Sequence, residues 1–302
     1  MITQKNYAAI DIGSNAVRLL VSTITEKKGR EPNFRKTSLV RVPIRLGADV
    51  FIEGKISSKN LQRMTDTMQA FKLLMRSHGV EKYKAYATSA MREAKNGEKV
   101  ANSIKEETGV EIEIIDGSHE AAVIAATDLH ALIQTDGNYL YVDVGGGSTE
   151  FTFYSNGKTI ASKSFKVGTV RLLNDLVEHQ TWIEMEEWVK KTTHNIEDID
   201  LIGSGGNINN IFKTSGKKEG KPLSLSYLKK YNELLNSYTY EERITELNLK
   251  NDRADVIIPA ARIYLNSMKW ARAHQIYVPK IGLADGIIKS LYNGENKRKK
   301  TG

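Results

Sequence analysis

The chain has no cysteine in its 302 residues, which excludes disulfides, thiolate catalysis and zinc–thiolate sites. No apolar run approaches the ~18–20 residues that a bilayer-spanning helix needs. The opening Met1-Ile2-Thr3-Gln4-Lys5-Asn6 leads into a strand-like run and lacks the apolar stretch and cleavage site of a secretory leader. A cytoplasmic location without a membrane partner is therefore expected. The six histidines, His78, His119, His130, His179, His194 and His274, show no metal-ligand spacing. Nucleic-acid motifs are absent, as are basic patches with interleaved aromatics, so no nucleic-acid partner is expected. No low-complexity segment interrupts the chain.

What is present is an ordinary globular composition, 40% apolar and 26% charged, with a net charge of +8. An excess of that size favours a polyanionic partner. Part of it lies in a terminal run, Lys297-Arg298-Lys299-Lys300, and the rest is spread along the chain. A phosphate-rich small molecule or polymer fits the charge. The length suits two domains of ~150 residues each, and the pattern restarts beside Glu120–Thr127, giving 1–124 and 125–302.

Each half opens with strands and continues with alternating helices and strands, a mixed α/β layout. Tyr7–Ile12, Val17–Thr25 and Phe34–Leu46 read as strands, followed by a helix capped by Ser57 or Ser58. Its apolar stripe is Leu61, Met64, Met68, Phe71 and Leu74. Lys84–Ala87 and Val110–Ile115 are further strands, separated by a helix over Lys99–Thr108 that ends at Gly109, and Ser118–Leu132 is helical. The second half restarts with strands at Asn138–Val144, Thr149–Tyr154 and Lys158–Ser164. Helices are expected over Val170–Glu178 and from Glu184, the latter with a Thr181-x-x-Glu184 capping box, before a strand at Ile199–Ile202. The remainder is mainly helical, with Pro259 kinking or breaking Arg253–Ala273.

The most informative motifs are Asp11-Ile12-Gly13-Ser14-Asn15 and Asp143-Val144-Gly145-Gly146-Gly147-Ser148. Each is an aspartate, one aliphatic residue and a small-residue turn at the end of an apolar strand. The aspartate can hold a cation or its water shell, and the turn leaves backbone N–H groups for an anion. Two copies suggest two related domains gripping phosphates from opposite sides of a cleft. Asp11 and Asp143 would be costly to bury without a partner or a metal.

Other candidates carry competing readings. Glu150 leaves the second turn on a strand, either as a further oxygen ligand or as a solvent-facing carboxylate. Glu120, in the first turn of a helix after Asp116-Gly117-Ser118-His119, either complements the helix dipole or acts as a general base, with His119 an alternative base. Arg92, in Thr88-Ser89-Ala90-Met91-Arg92, can fork onto a phosphate or pair with Glu93 or Glu98. Gly168-Thr169-Val170-Arg171 and Gly203-Ser204-Gly205-Gly206 are further glycine turns opening helices, the second an anion-site candidate or merely a tight connection.

The ordered set is recognisable. Asp-Ile-Gly-Ser-Asn at 11–15, Ala-Thr-Ser-Ala-Met-Arg-Glu-Ala at 87–94 and Asp-Gly-x-x-Glu-Ala at 116–121 are followed by Asp-Val-Gly-Gly-Gly-Ser-Thr-Glu at 143–150. Gly-Thr-Val-Arg-Leu at 168–172 and Gly-Ser-Gly-Gly at 203–206 complete it. From about residue 7 to 290 the chain resembles the exopolyphosphatase and guanosine pentaphosphate phosphatase (Ppx/GppA) family in its short, two-domain form.

That resemblance implies a two-domain actin-like, ribonuclease-H-like α/β fold of the ASKHA superfamily, with mixed sheets and an interdomain cleft. It implies cation-dependent release of terminal phosphate from polyphosphate or guanosine pentaphosphate, with Mg2+ or another divalent ion. By position Glu120 resembles the base, and Asp143 and Glu150 the carboxylates that organise metal and water; Asp11, from its own place at the strand end, is a further candidate ligand. Gly145, Gly146, Gly147 and Ser148 resemble one phosphate loop, Ser14 and Asn15 the other, and Arg92 the arginine that reaches substrate phosphate. Related folds often pair, which admits a homodimer. The sequence departs from the family in His119 before Glu120, and in Ala284-Asp285 before Gly286 where relatives often carry arginine and glutamate. Rival readings are an ATP-dependent kinase of the same superfold, a non-catalytic polyphosphate sensor and a filament-forming actin relative.

Overall fold

The computed structural model describes residues 2–125, 127 and 137–301, with the side chains of 125 and 295–301 excepted. The chain forms two compact units, Met1–Thr127 with Leu283–Gly302, and Asp128–Gly282. The first contains β1 (Ile2–Ile12), β2 (Val17–Lys27), β3 (Asn33–Val42), α1 (Leu46–Glu53), α2 (Ser58–Ser77) and β4 (Val80–Ala87). It continues through α3 (Ser89–Glu93), α4 (Gly97–Thr108), β5 (Ile112–Ile114) and α5 (Gly117–Ala125). The second contains β6 (Asn138–Val144), β7 (Thr149–Ser155), β8 (Lys158–Phe165), α6 (Thr169–Leu173), α7 (His179–Thr192), β9 (Ile199–Ser204) and α8 (Gly206–Thr214). It ends with β10 (Leu223–Ser224), α9 (Leu225–Ser237), α10 (Tyr240–Thr245), α11 (Asn251–Ala254), α12 (Ile257–Trp270) and β11 (Gln275–Tyr277). The last helix, α13 (Leu283–Thr301), returns to the first unit, where it packs on α5 and on β1, β2 and β4. The division into 1–124 and 125–302 read from the sequence carries that helix with the second domain.

The sheet of the first unit runs β3-β2-β1-β4-β5. Its first three strands are antiparallel neighbours, and β4 and β5 add in parallel. In the second unit the order is β10-β11-β9-β6-β7-β8. Read from β8 to β11 it repeats the first: antiparallel β8, β7 and β6, then parallel β9 and β11. Two copies of this ribonuclease-H-like sheet make the two-domain actin-like fold expected from the sequence. Tyr7, Ala8, Ala9, Ile10 and Ile12 are all buried, as a central strand covered on both faces requires. Leu140, Val142 and Val144 hold the same place in the core of the second unit.

The register positions the site residues. Asp11 stands opposite Arg18 in the β1–β2 pair, and Asp143 opposite Glu150 in the β6–β7 pair. These are the same positions of the repeat, one strand residue before each turn and one after it.

Local signals mostly held. The Ser57 side chain accepts the Asn60 N–H at 3.2 Å, and α4 ends at Gly109 in a left-handed conformation. Some did not. The strand expected over Phe34–Leu46 stops at Val42, because Arg45 turns left-handed (φ 63°) and α1 begins. Helix α6 ends at Leu173, short of Glu178, with Asp175 at φ 52°. Helix α7 starts at His179, so Thr181 lies inside it, and the capping box instead joins Thr239 and Glu242 ahead of α10. Pro259 lies in the first turn of α12, where its missing N–H costs nothing, and the break precedes it. The expected continuation of α5 to Leu132 falls largely outside the described residues.

One close approach fixes α5. A Cβ added at Gly286 of α13 would lie 2.1 Å from the carbonyl oxygen of Val123 on α5. Gly286→Ala must therefore push the two helices apart. A loss of about 1–3 kcal/mol is expected from such overpacking. Chemical denaturation checks it, and an unchanged midpoint would contradict the contact.

Candidate functional site

Both turns are built alike. The Gly13 N–H donates to the Ala16 carbonyl at 3.1 Å, and the Gly145 N–H to the Ser148 carbonyl at 2.9 Å. Each turn is also tied from one side. In the first, the carbonyls of Ser14 and Asn15 accept the N–H groups of Gly47 (2.8 Å) and Arg45 (3.0 Å), at the start of α1. In the second, the carbonyls of Gly145 and Gly146 accept the N–H groups of Thr169 (3.0 Å) and Val170 (2.8 Å), at the start of α6. The Gly147 carbonyl accepts the Nε–H of Arg171 at 2.7 Å. In a planar trans peptide the carbonyl and the following N–H are antiparallel. Tying these carbonyls toward α6 therefore turns the N–H groups of Gly146, Gly147 and Ser148 the other way. Successive N–H groups so aligned form a concavity suited to an anion.

The carboxylates of the second unit flank this turn. Glu150 is 3% exposed, and its Oε1 accepts from the hydroxyls of Ser148 (2.5 Å) and Ser164 (2.9 Å). Asp143 is half-buried beside Tyr141 and Tyr264. Burial, and then the Asp143 charge, push both phenols well above their usual range, so they stay protonated. Tyr264 donates to the Ser204 carbonyl. Gly205 completes the wall at φ 121°: a Cβ there would lie 2.9 Å from the Val144 carbonyl and 3.6 Å from Asp143 Oδ1. Its glycine is thus explained by packing against the Asp143 strand.

Two carboxylates on opposed strand positions suit a hard cation such as magnesium, which takes one or two carboxylates and completes its shell with water and substrate oxygens. Asp143 and Glu150 fit that role. Among the described residues no group of three or more His, Cys, Asp or Glu side chains is gathered to hold a metal. Asp11, read as a further ligand, belongs to the first unit, where its Oδ2 accepts from Arg18 at 2.7 Å.

Glu120, His119 and Arg92 of the first unit lie at the start of α5. Glu120 sits in its first turn, 9% exposed. Asp116 caps the helix, its Oδ1 accepting from the His119 N–H at 2.7 Å and from the Ser118 hydroxyl at 2.6 Å. Arg92 donates from Nη1 to the Ile115 carbonyl at 2.7 Å, just before this cap. The His119 ring lies edge-on to Tyr86, 5.3 Å between centroids. The Ser14 hydroxyl meets that of Ser89, at the start of α3, at 2.9 Å.

The Ser118 hydroxyl and then the His119 N–H hold the Asp116 carboxyl below its ordinary 3.8. A depressed folded pKa means that the cap stabilises α5 above the unfolded value and is lost as pH falls through the folded one. The amide-exchange protection of His119 is therefore expected to be constant above about pH 4 and to fall in more acid solution. Protection unchanged down to pH 2 would contradict this cap.

Sequence reasoning found the glycine turns and the carboxylates but missed what holds the turns. A Cβ at Gly168 would lie 2.4 Å from the Gly146 carbonyl oxygen, so only glycine lets α6 approach. The Gly-Thr-Val-Arg motif was the available signal. The segment Arg45–Gly47 gave none, because it looked like the end of a strand.

The sequence profile of the Ppx/GppA phosphatase family matches residues 24–295. The chain belongs to this family. It is 29% identical over 279 residues to a bifunctional 3-dehydroquinate synthase/phosphatase of Fusobacterium nucleatum, covering 83% of this chain and 41% of that protein. With exopolyphosphatase 1 of Mycobacterium tuberculosis it shares 30% identity over 166 residues, 55% of this chain and 47% of that one. A guanosine-5'-triphosphate,3'-diphosphate pyrophosphatase of Photobacterium profundum is 28% identical over 59% of this chain and 33% of its own length. The chain thus spans between a third and a half of these curated relatives. The crystal structure of the Aquifex aeolicus Ppx/GppA family member is similar with a TM-score of 0.75 and 25% identity, covering 97% of this chain and 99% of that one. An exopolyphosphatase structure from Cytophaga hutchinsonii gives 0.82 at 23% identity over 96% and 98%, a likeness of fold. No helix among the described residues of this Ppx/GppA chain is long and apolar enough to cross a membrane.

Proposed function

We propose that this Ppx/GppA chain is a phosphoanhydride hydrolase that releases terminal phosphate from inorganic polyphosphate, with guanosine pentaphosphate as a second substrate class. The observation that carries the reading is the pair of equivalent turns whose carbonyls are tied to one side, which turns the N–H groups that follow them to the other. In this reading the amides of Gly146, Gly147 and Ser148 receive phosphate oxygens, with Gly145 closing their turn, and Ser14 and Asn15 form the second phosphate-binding turn. Arg92, with one N–H already on the Ile115 carbonyl, offers its remaining donors to substrate phosphate. Asp143 and Glu150 would hold the cation, with magnesium as the proposed ion; Asp11 would join them only by giving up its pairing with Arg18. The bound cation would neutralise charge on the phosphates.

Glu120 accepts a proton from the attacking water at its carboxylate. The Glu150 carboxylate, oriented by Ser148 and Ser164, holds a water in place. Positioning and charge stabilisation supply most of the acceleration in phosphoryl transfer. The test is cation-dependent phosphate release from short polyphosphate, long polyphosphate and guanosine pentaphosphate, measured side by side. Release from at least one supports the proposal. Phosphate moved only to an acceptor other than water, or binding without release, would replace it with a kinase or a sensor.

A further inference from the structure

The carbonyl side of the Gly145–Ser148 turn is unusually well served. Carbonyls in tight surface turns commonly bond water, yet here Gly145, Gly146 and Gly147 all accept from the segment that begins at Gly168. Two of these bonds come from backbone N–H groups, of Thr169 and Val170. The third comes from a side chain, and that side chain is a charged one, Arg171, at 8% exposure. Burying a guanidinium is expensive unless its donors are used. Its Nε–H is given to the neutral Gly147 carbonyl, which fixes the orientation of the 147–148 peptide.

The other copy of the turn makes the same point by different means. Asn15 corresponds to Gly147, and its carbonyl is held as well, by the backbone N–H of Arg45. Arg45 reaches it only by adopting φ 63°, a conformation that non-glycine residues disfavour. Both copies therefore fix the same peptide, one through a left-handed Arg45 and the other through a buried guanidinium. Gly168 adds a third sign. Its position against the 146–147 backbone admits no side chain, so α6 is seated directly on the turn.

We infer that Arg171 is a positioning residue: through its Nε–H bond to the Gly147 carbonyl it holds the Ser148 N–H, and with it the whole glycine turn, in the orientation that receives substrate phosphate. It touches no substrate itself. The inference rests on the proposed phosphate-binding role of the turn. Without the bond, the 147–148 peptide can rotate, because glycine imposes almost no barrier. The turn must then be ordered when phosphate binds, and binding weakens.

Two substitutions remove the Nε donor while keeping apolar bulk, Arg171→Met and Arg171→Leu. Each is expected to raise KM for short polyphosphate about tenfold, the equivalent of one lost bond from a charged donor, with kcat within about threefold. A merely structural role would lower the folded fraction, and so apparent kcat, without moving KM. Amide exchange at 146–148 is expected to quicken about tenfold in whichever variant folds. In the wild-type chain the Thr169 and Val170 amides should exchange slowly despite the shortness of α6. Wild-type KM in a folded variant overturns the inference, as does rapid exchange at Thr169 and Val170 in the wild type, a result that does not depend on any variant folding. If the wild-type chain releases phosphate from neither polyphosphate nor guanosine pentaphosphate, the proposed function fails. The exchange data then still decide whether Arg171 braces the turn.

Discussion

Glu120→Gln is expected to lower kcat for phosphate release by about 10²–10⁴-fold while KM stays within about threefold. The amide copies the carboxylate in size and keeps a hydrogen-bonding end, so substrate binding and local packing are preserved. What it cannot do is accept a proton. The frame around it is independent of its charge: the Asp116 cap, the Arg92 bond to Ile115 and the Gly286 contact with α5 all remain. A KM that rose with unchanged kcat would make Glu120 a binding group. Near-normal turnover would give the base to another residue, and His119, half-buried against Tyr86 one position earlier, is the one to test next.

Asp143→Asn should act on the cation instead. At this half-buried position, beside two tyrosines held protonated, the substitution removes the negative charge that would attract a divalent ion. The cation concentration for half-maximal activity is expected to rise by about 10²-fold or more. Saturating cation should restore part of kcat, and Glu150→Gln should behave similarly but cost stability too. The Glu150 carboxylate accepts two serine hydroxyls while buried, and an amide can accept from both only if its nitrogen finds another partner. If Asp143→Asn left the cation dependence untouched, the ion would not be held by this strand.

The legible parts of this protein were those with a local physical cause. Apolar runs of Tyr7–Ile12 and Asn138–Val144 mark strands buried on both faces, and both are central. An aspartate ending each of them, ahead of a small-residue turn, was visible for the same reason. Glu120 and Arg92 could be named as candidates, but their shared neighbourhood around Ile115 and Asp116 depends on β4 and β5 pairing in parallel, a long-range fact. The exchange of Arg18 for Glu150 at equivalent register positions also becomes evident only once the sheets are aligned. Helix α1 was hidden because Arg45 adopts a conformation its side chain does not favour, for the sake of a bond to Asn15. The expected capping box at Thr181 failed because the helix had begun at His179, and the real one sat on a short exposed helix that carries no apolar stripe. The return of α13 to the first unit could not be read from its sequence, since an amphipathic helix does not name the core it will join.

The tied glycine turns are proposed as phosphate receptors. That role is tested most directly by titrating the protein, labelled with 15N-glycine and 15N-serine, with a non-hydrolysable imidodiphosphate in the presence of magnesium. The amides of Gly146, Gly147 and Ser148 are expected to shift most, and Arg171→Met to weaken the titration. Saturating shifts confined to other amides, with these unmoved, would contradict that role.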